Sequence, residues 1–287
     1  MIQYVKRQHL DVSKYDLCIE NSIQSRIYAF SWYLDIVADH WDVLVLGDYK
    51  AVMPVPWKIK YGIKYVVQPY FCQQLGVFSK EKFDDIEVLH FVEEIPKKFV
   101  KVNLQLKNYF SQNTSFSIKK NYILSLNDCH EKLFKSFNKG RKHAIKSAEK
   151  HQLTLKKVSV NTLIDIQKDN YSYEFSADQI KKLKDLSTIS IKKKNAFIHG
   201  VFNKDVFLGG GFFLKTNLRI IYLFSAFNSQ GKSNQAASFL INSVIKEYQN
   251  TDLILDFEGG NISSIGLFFN SFGAQTENYV LFKRSFL

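Results

Sequence analysis

In the second half of the chain, apolar runs of strand length alternate with stripes of helical period. Residues 196–202 (AFIHGVF) and 206–215 (VFLGGGFFLK) are apolar runs divided by Asn203-Lys204-Asp205, the polar turn of a hairpin. RIIYLFSAF (219–227) is a third such run. Helical period takes over in SNQAASFLINSVIKEYQ (233–249), where Ala236, Phe239, Leu240, Val244 and Tyr248 fall on one stripe. DLILDF (252–257) is apolar enough for a strand covered on both faces. Upstream, LTLKKV (153–158) predicts a strand, Asn161 a cap opening a helix that runs to 174, and 177–186 a second helix. Residues 263–270 form a short helix and NYVLFKRS (278–285) a last strand. The predicted order is β-α-α-β-β-β-α-β-α-β.

The first half carries the same pattern. Displacing the chain by 155 residues lays DVLVLGDYKAVMPVPWKIKYGIKYVVQPYFCQQLG (42–76) on the stretch from Phe197 to Gly231. Asp48-Tyr49-Lys50 then meets Asn203-Lys204-Asp205, Lys60 meets Lys215, and Gly76 meets Gly231. KVNLQLK (101–107) matches DLILDFE (252–258), and Asn121-Tyr122-Ile123-Leu124 matches Asn278-Tyr279-Val280-Leu281. The same order at nearly the same displacement points to a duplicated unit, with expected boundaries of 1–126 and 127–287. Gly76 and Gly231 are expected in equivalent places.

Composition narrows the class. The 287 residues are 46% hydrophobic with only 13 Gly and 4 Pro, which supports real cores and excludes wholesale disorder. Cys18, Cys72 and Cys129 have no pairing rhythm, and Cys129-His130 has no second pair at ligand spacing, so neither a disulfide scaffold nor a metal is expected. The N-terminal stretch is charged throughout and the longest uncharged run, 259–276, holds four Gly. The cytoplasm is therefore the expected compartment.

Charge is uneven. Residues 1–130 carry 16 basic and 14 acidic side chains, net +2, which leaves +10 of the total +12 for the remainder. Residues 131–157 hold nine Lys/Arg against two Glu. Arg141, Lys142, Lys146 and Lys150 make a loose basic face on one helix and are candidates for contacting a polyanion. Trp32, Tyr33, Trp41 and Trp57 are read as packing, as are the Phe pairs 212–213 and 268–269.

The element order of the second unit resembles the fold of the GNAT acyltransferases, and a tandem pair of such units resembles the Fem family of peptidoglycan aminoacyltransferases. FNKGRKHAIKSAEKHQL (137–153) looks like the basic helix opening the second unit of Fem-like proteins. YLFSAFNSQGKSNQAASFLINSVI (222–245) looks like their fourth strand, loop and helix, and LDFEGGNISSIGLFFNSFGA (255–274) like their fifth strand end and its continuation. The resemblance implies an α/β fold, in α+β mixed-sheet form, of two tandem GNAT-like units packed together. It also implies transfer of an acyl or aminoacyl group from acyl-CoA or aminoacyl-tRNA to an amine acceptor, such as a cell-envelope precursor, with tRNA a possible partner and no tightly bound cofactor. The competing class is a non-catalytic binding protein of the same fold that holds tRNA or another polyanion.

The resemblance also assigns candidate residues. GNAT enzymes cradle the acyl-CoA pyrophosphate on a glycine-rich loop at a helix N-terminus. The corresponding loop here is Gln230-Gly231-Lys232-Ser233-Asn234-Gln235, with Ser233 and Gln235 where glycines are expected. Ser225, Asn228, Gln230, Gly231, Lys232, Ser233 and Asn234 are the candidate donor-binding residues. In this fold the fourth and fifth strands splay, placing Asp256 and Glu258 at the mouth of a cleft. Glu258 is favoured as general base and Asp256 for a structural role, with Tyr222 as candidate proton donor to a leaving group.

Overall fold

The computed structural model describes residues 1–107 and 116–285. The chain runs through β1 (Ile2–Lys6), α1 (Val12–Glu20), α2 (Ser31–Val37), β2 (His40–Leu46), β3 (Ala51–Lys60), β4 (Ile63–Val67), β5 (Phe78–Ser79), α3 (Asp85–Glu93) and β6 (Lys101–Leu106). It continues through β7 (Phe116–Ser125), α4 (His130–Ser136), α5 (Lys139–Lys150), β8 (Leu153–Lys157), α6 (Val160–Asn170), α7 (Ala177–Lys192), β9 (Ala196–Asn203) and β10 (Val206–Lys215). The last elements are β11 (Arg219–Phe227), α8 (Ser229–Ser233), α9 (Ala236–Tyr248), β12 (Ile254–Asp256), α10 (Ser263–Asn270) and β13 (Gln275–Ser285).

Two compact units emerge. Unit 1 comprises residues 1–120 together with 278–287, and unit 2 comprises 121–277. Unit 1 orders its strands β1-β2-β3-β4-β6-β13, with β5 paired to β3; unit 2 orders them β8-β9-β10-β11-β12-β7. In both, three antiparallel pairings are followed by one parallel pairing, β4 with β6 or β11 with β12, and then by an antiparallel sixth strand. The sixth strand is supplied crosswise: the first half of the sequence ends in β7, which closes unit 2, and the second half ends in β13, which closes unit 1. The division therefore differs from 1–126 and 127–287. It falls at Asn121 and Asn278, the two positions that the repeat aligns.

Each unit has its own core. Val55, Val66, Phe91, Phe99, Leu104, Val280 and Phe282 are buried together in unit 1. Phe213, Ile220, Leu240, Val244, Leu255, Phe257, Phe269 and Phe272 are buried together in unit 2. Burying one such side chain contributes about 1.5–3 kcal/mol.

Local signals differ from expectation at three points. Ser159, not Asn161, caps α6 by accepting from the Thr162 N–H. The helix expected over 233–249 is divided: α8 ends at Ser233, and Gln235 at φ +59° turns the chain into α9. Gly76 and Gly231 are not conformational equivalents, because Gly76 lies in a loop at φ +142° while Gly231 is inside α8. The β9–β10 hairpin forms as expected, with Lys204 at φ +53° in its turn.

Candidate functional site

The parallel pairing of β11 with β12 lasts three rungs, Arg219 with Ile254, Ile220 with Leu255, and Ile221 with Asp256. Beyond them the strands part. Tyr222 on one side and Phe257 on the other are the first residues past the separation. A bulge on β11 skips Leu223 in the register with β10, since Phe213 pairs Tyr222 and Phe212 pairs Phe224. Bulges bend a strand and re-aim its side chains, and this one falls where the splay begins.

Asp256 is buried and fully engaged. Arg219 Nη1 donates to Asp256 Oδ2 at 2.8 Å, while Asn121 Nδ2 and the Glu258 N–H donate to Oδ1 at 2.9 and 3.1 Å. The same guanidinium reaches Glu277, at 2.8 Å from Nη2 to Oε1. Burial lowers the Arg219 pKa, but attraction to Asp256 and Glu277 outweighs it, so the group remains a cation. This buried network fixes the end of β12 and, through the Glu258 N–H, the residue that follows.

Glu258 stands at φ +51° and is followed by Gly259 at +63° and Gly260 at +100°. Left-handed backbone at a non-glycine residue costs about 1–2 kcal/mol, and the surrounding structure must hold it. Tyr122 O accepts from the Phe257 N–H at 3.0 Å on one side. On the other, Gly266 of α10 packs so closely that a Cβ there would lie 2.8 Å from the Gly260 carbonyl. The Glu258 residue is partly exposed, yet burial around its carboxyl pushes the pKa up to about 8. A carboxyl with that pKa exchanges its proton near neutral pH, as a general base must.

Tyr222 is buried, its ring stacked on Phe213 at 5.0 Å and edge-on to Phe269 at 6.4 Å. Burial raises its pKa well above the ordinary phenol value, partly offset by a hydrogen bond with the Ser225 side chain. Asn228 caps α8 by accepting from the Gly231 N–H at 2.7 Å, and its amide donates to Phe207 O at 3.1 Å. Gly231 is needed because a Cβ would meet Leu208 O at 2.3 Å. Gln230, Lys232 and Ser233 are exposed on α8, and Asn234 follows it half-buried. The N–H of Gly231 is therefore already spent on Asn228 rather than offered to a phosphate.

The four basic candidates on α5 part company. Lys146 and Lys150 are exposed, and half-buried Lys142 donates to Lys135 O at 2.7 Å. Arg141 is not on an open basic face. Its guanidinium lies 4.2 Å over Phe268 and 4.6 Å over Phe272, donates to Ser271 Oγ at 2.9 Å, and hydrogen-bonds Ser238 Oγ. Burial lowers its pKa to about 10.

Sequence reasoning missed Arg219, Asn121 and Glu277, and also Tyr171. The Tyr171 hydroxyl accepts from the Phe227 N–H at 3.1 Å, and Lys232 Nζ lies 4.5 Å over its ring. Among the described residues no group of three or more His, Cys, Asp or Glu is placed to hold a metal. No helix among them is long and apolar enough to cross a membrane.

No protein-family model and no curated protein sequence matches the chain. Solved structures do. FemX superposes with a TM-score of 0.71 at 10% identity, covering 97% of this chain and 96% of its own. The C-terminal domain of a putative lysylphosphatidylglycerol synthetase from Agrobacterium fabrum superposes at 0.56 and 9% identity, with 96% and 92% covered. A tandem GNAT protein from the clavulanic acid biosynthesis pathway superposes at 0.52 and 10% identity, with 99% and 98% covered. The fold is that of a tandem GNAT protein with Fem-like structural relatives.

Proposed function

We propose that the protein is an acyltransferase whose reaction takes place at the splay of β11 and β12 in unit 2. The observation that carries this is Glu258: a carboxyl with its pKa raised to about 8, set in strained backbone where the parallel pair separates. Fold alone does not assign function, so the proposal rests on this site. The donor carbonyl lies along the free edge of β11 beyond Ile221. The amine attacks the carbonyl carbon, and the Glu258 carboxylate takes the proton that the new C–N bond makes acidic. The tetrahedral intermediate then expels the leaving oxygen or sulfur.

Tyr222 bears on which leaving group departs. A phenol whose pKa is raised by burial is a poor acid towards a thiolate, which leaves unaided. It suits a more basic alkoxide that needs a proton to depart. Together with the Asn228 cap on Gly231, this favours an ester donor such as aminoacyl-tRNA over acyl-CoA. The acceptor is an amine, and a cell-envelope precursor is the class suggested by the Fem-like fold.

The deciding experiment offers radiolabelled acetyl-CoA and aminoacyl-tRNA separately, with a panel of amine acceptors, and follows label into acid-stable product. Transfer from aminoacyl-tRNA that falls by about 100-fold in Glu258→Gln supports the reading. No transfer from either donor, alongside retained tRNA binding, turns the assignment to the non-catalytic binding protein.

A further inference from the structure

A second feature lies wholly within unit 1. A cavity of about 500 Å³ is lined by residues from the end of β1 (Lys6) and the turn after it (Arg7), the start of β2 (His40, Trp41, Asp42), β3 (Trp57), the start of β4 (Lys64) and the turn before β6 (Lys98). The β4–β6 parallel pairing begins here, at Tyr65 with Lys101. The splay described in unit 2 lies beyond the far end of its parallel pair, so this cavity is not unit 1's copy of that site.

The carboxylates in the wall are already committed. Asp35 accepts two hydrogen bonds from the Arg7 guanidinium, at 3.0 and 2.9 Å, and one from Trp41 Nε1 at 2.8 Å. Asp39 pairs with Lys58 at 3.1 Å. Buried Asp42 accepts from Trp57 Nε1 and from the Arg7 N–H, each at 2.9 Å, and from the Tyr4 hydroxyl. Among the described residues Lys6, Lys64 and Lys98 have no carboxylate at ion-pair distance. Lys64 Nζ lies instead 5.0 Å over the Trp57 ring, and Lys98 Nζ 4.3 Å over Tyr4.

Lys98 feels the charges around it. Burial lowers the Lys98 pKa, and after the opposing pull of Asp42 the charges of Lys64 and Lys6 lower it further. Lys6, Lys64 and Lys98 line one cavity with no carboxylate among the described residues paired to any of them, a set of donors that a compact polyanion can bridge. Phosphate carries about −1.5 to −2 charge near neutral pH and accepts from several donors at once. The volume lies within the ~300–1,000 Å³ typical of small-molecule sites and exceeds what inorganic phosphate fills. His40 stacked on Trp57 at 4.3 Å gives the organic part of a phosphate ester a ring surface to rest on.

We propose that unit 1 binds a soluble phosphate-bearing small molecule, with its phosphate on Lys6, Lys64 and Lys98 and its organic part against His40 and Trp57. Calorimetric titration of the intact chain with inorganic pyrophosphate tests the phosphate subsite. Saturable one-to-one binding is expected, weakened at least 10-fold in Lys64→Met/Lys98→Met, which keeps the apolar stems over Tyr4 and Trp57 and removes the charges. The exposed pair Lys184→Met/Lys192→Met on α7 is the control and should leave binding unchanged. Absence of binding up to about 10 mM, or equal weakening in both double variants, overturns the proposal. Sedimentation with phosphatidylcholine vesicles containing phosphatidylglycerol separates a lipid headgroup from a soluble ester. Vesicle binding that depends on Lys64 and Lys98, without pyrophosphate binding, overturns the soluble ligand.

Discussion

Arg219 opens β11 and Asp256 closes β12, and their side chains meet at 2.8 Å across the only stretch that holds these two strands in parallel register. The pair is buried and shares Glu277 and Asn121 as further partners. Replacing Arg219 with Met leaves Asp256 and Glu277 buried without their cation. A stability loss of about 3–5 kcal/mol is expected in urea unfolding. A loss below about 1 kcal/mol would show that the strand end does not depend on this network.

Glu258 carries a pH prediction with a definite sign. Its folded pKa of about 8 lies above the ordinary 4.5, so between those values the folded chain holds a proton that the unfolded chain releases. The stability contribution is fully present below the unfolded pKa and is lost as pH rises through about 8. Turnover moves the other way, rising as the base is deprotonated. Glu258→Gln should flatten both profiles, as followed by thermal melts and by initial rates between pH 5 and 9. A stability profile unchanged by the substitution would remove Glu258 from consideration as a titrating group.

Two glycines make opposite demands. Gly231 has ordinary helical backbone but no room, since a Cβ would meet Leu208 O at 2.3 Å; Gly259 has open space around it but sits at φ +63°. Gly231→Ala should cost about 1–3 kcal/mol by displacing α8 from β10. Gly259→Ala should cost about 1 kcal/mol by backbone strain alone. Chemical shift changes spread over α8 in the first variant and confined to residues near 259 in the second would separate the mechanisms.

Arg141 and its neighbours on α5 should respond differently. Lys146→Ala and Lys150→Ala alter exposed charges and are expected to change stability by less than about 0.5 kcal/mol. If they meet tRNA phosphates, the pair flattens the salt dependence of binding by about 1–2 logarithmic units per decade of salt. Arg141→Ala removes a cation from two aromatic faces and two hydroxyl partners, and should cost about 2 kcal/mol whether or not tRNA binds. Denaturation and filter binding at several salt concentrations measure the two effects apart.

Elements with a strong local period were legible: the β9–β10 hairpin, the α9 stripe and the place where β12 ends all follow from residues close together in sequence. The Gln235 break was not, because SNQAASFL contains neither Gly nor Pro to mark a left-handed turn. Arg219 gave no sign of its role, since its partners are 37 and 58 residues away. Arg141 reads as one of several surface charges until Phe268 and Phe272 arrive 127 and 131 positions later. Trp41 and Trp57 read as packing, and only the fold shows that they wall a cavity. The repeat located Asn121 and Asn278 as equivalent. Two similar strands in equivalent places cannot disclose which sheet each of them joins.

The crosswise supply of β7 and β13 sets the timetable of synthesis. β6 is made well before residues 278–285, so its pairing with β13 is the last to be completed in unit 1. A fragment of residues 1–107 carries β6 without β13 and leaves that side of the strand open, a ready template for aggregation. Deleting β13 therefore strikes a sheet whose other strands lie some 170 or more residues earlier in the sequence.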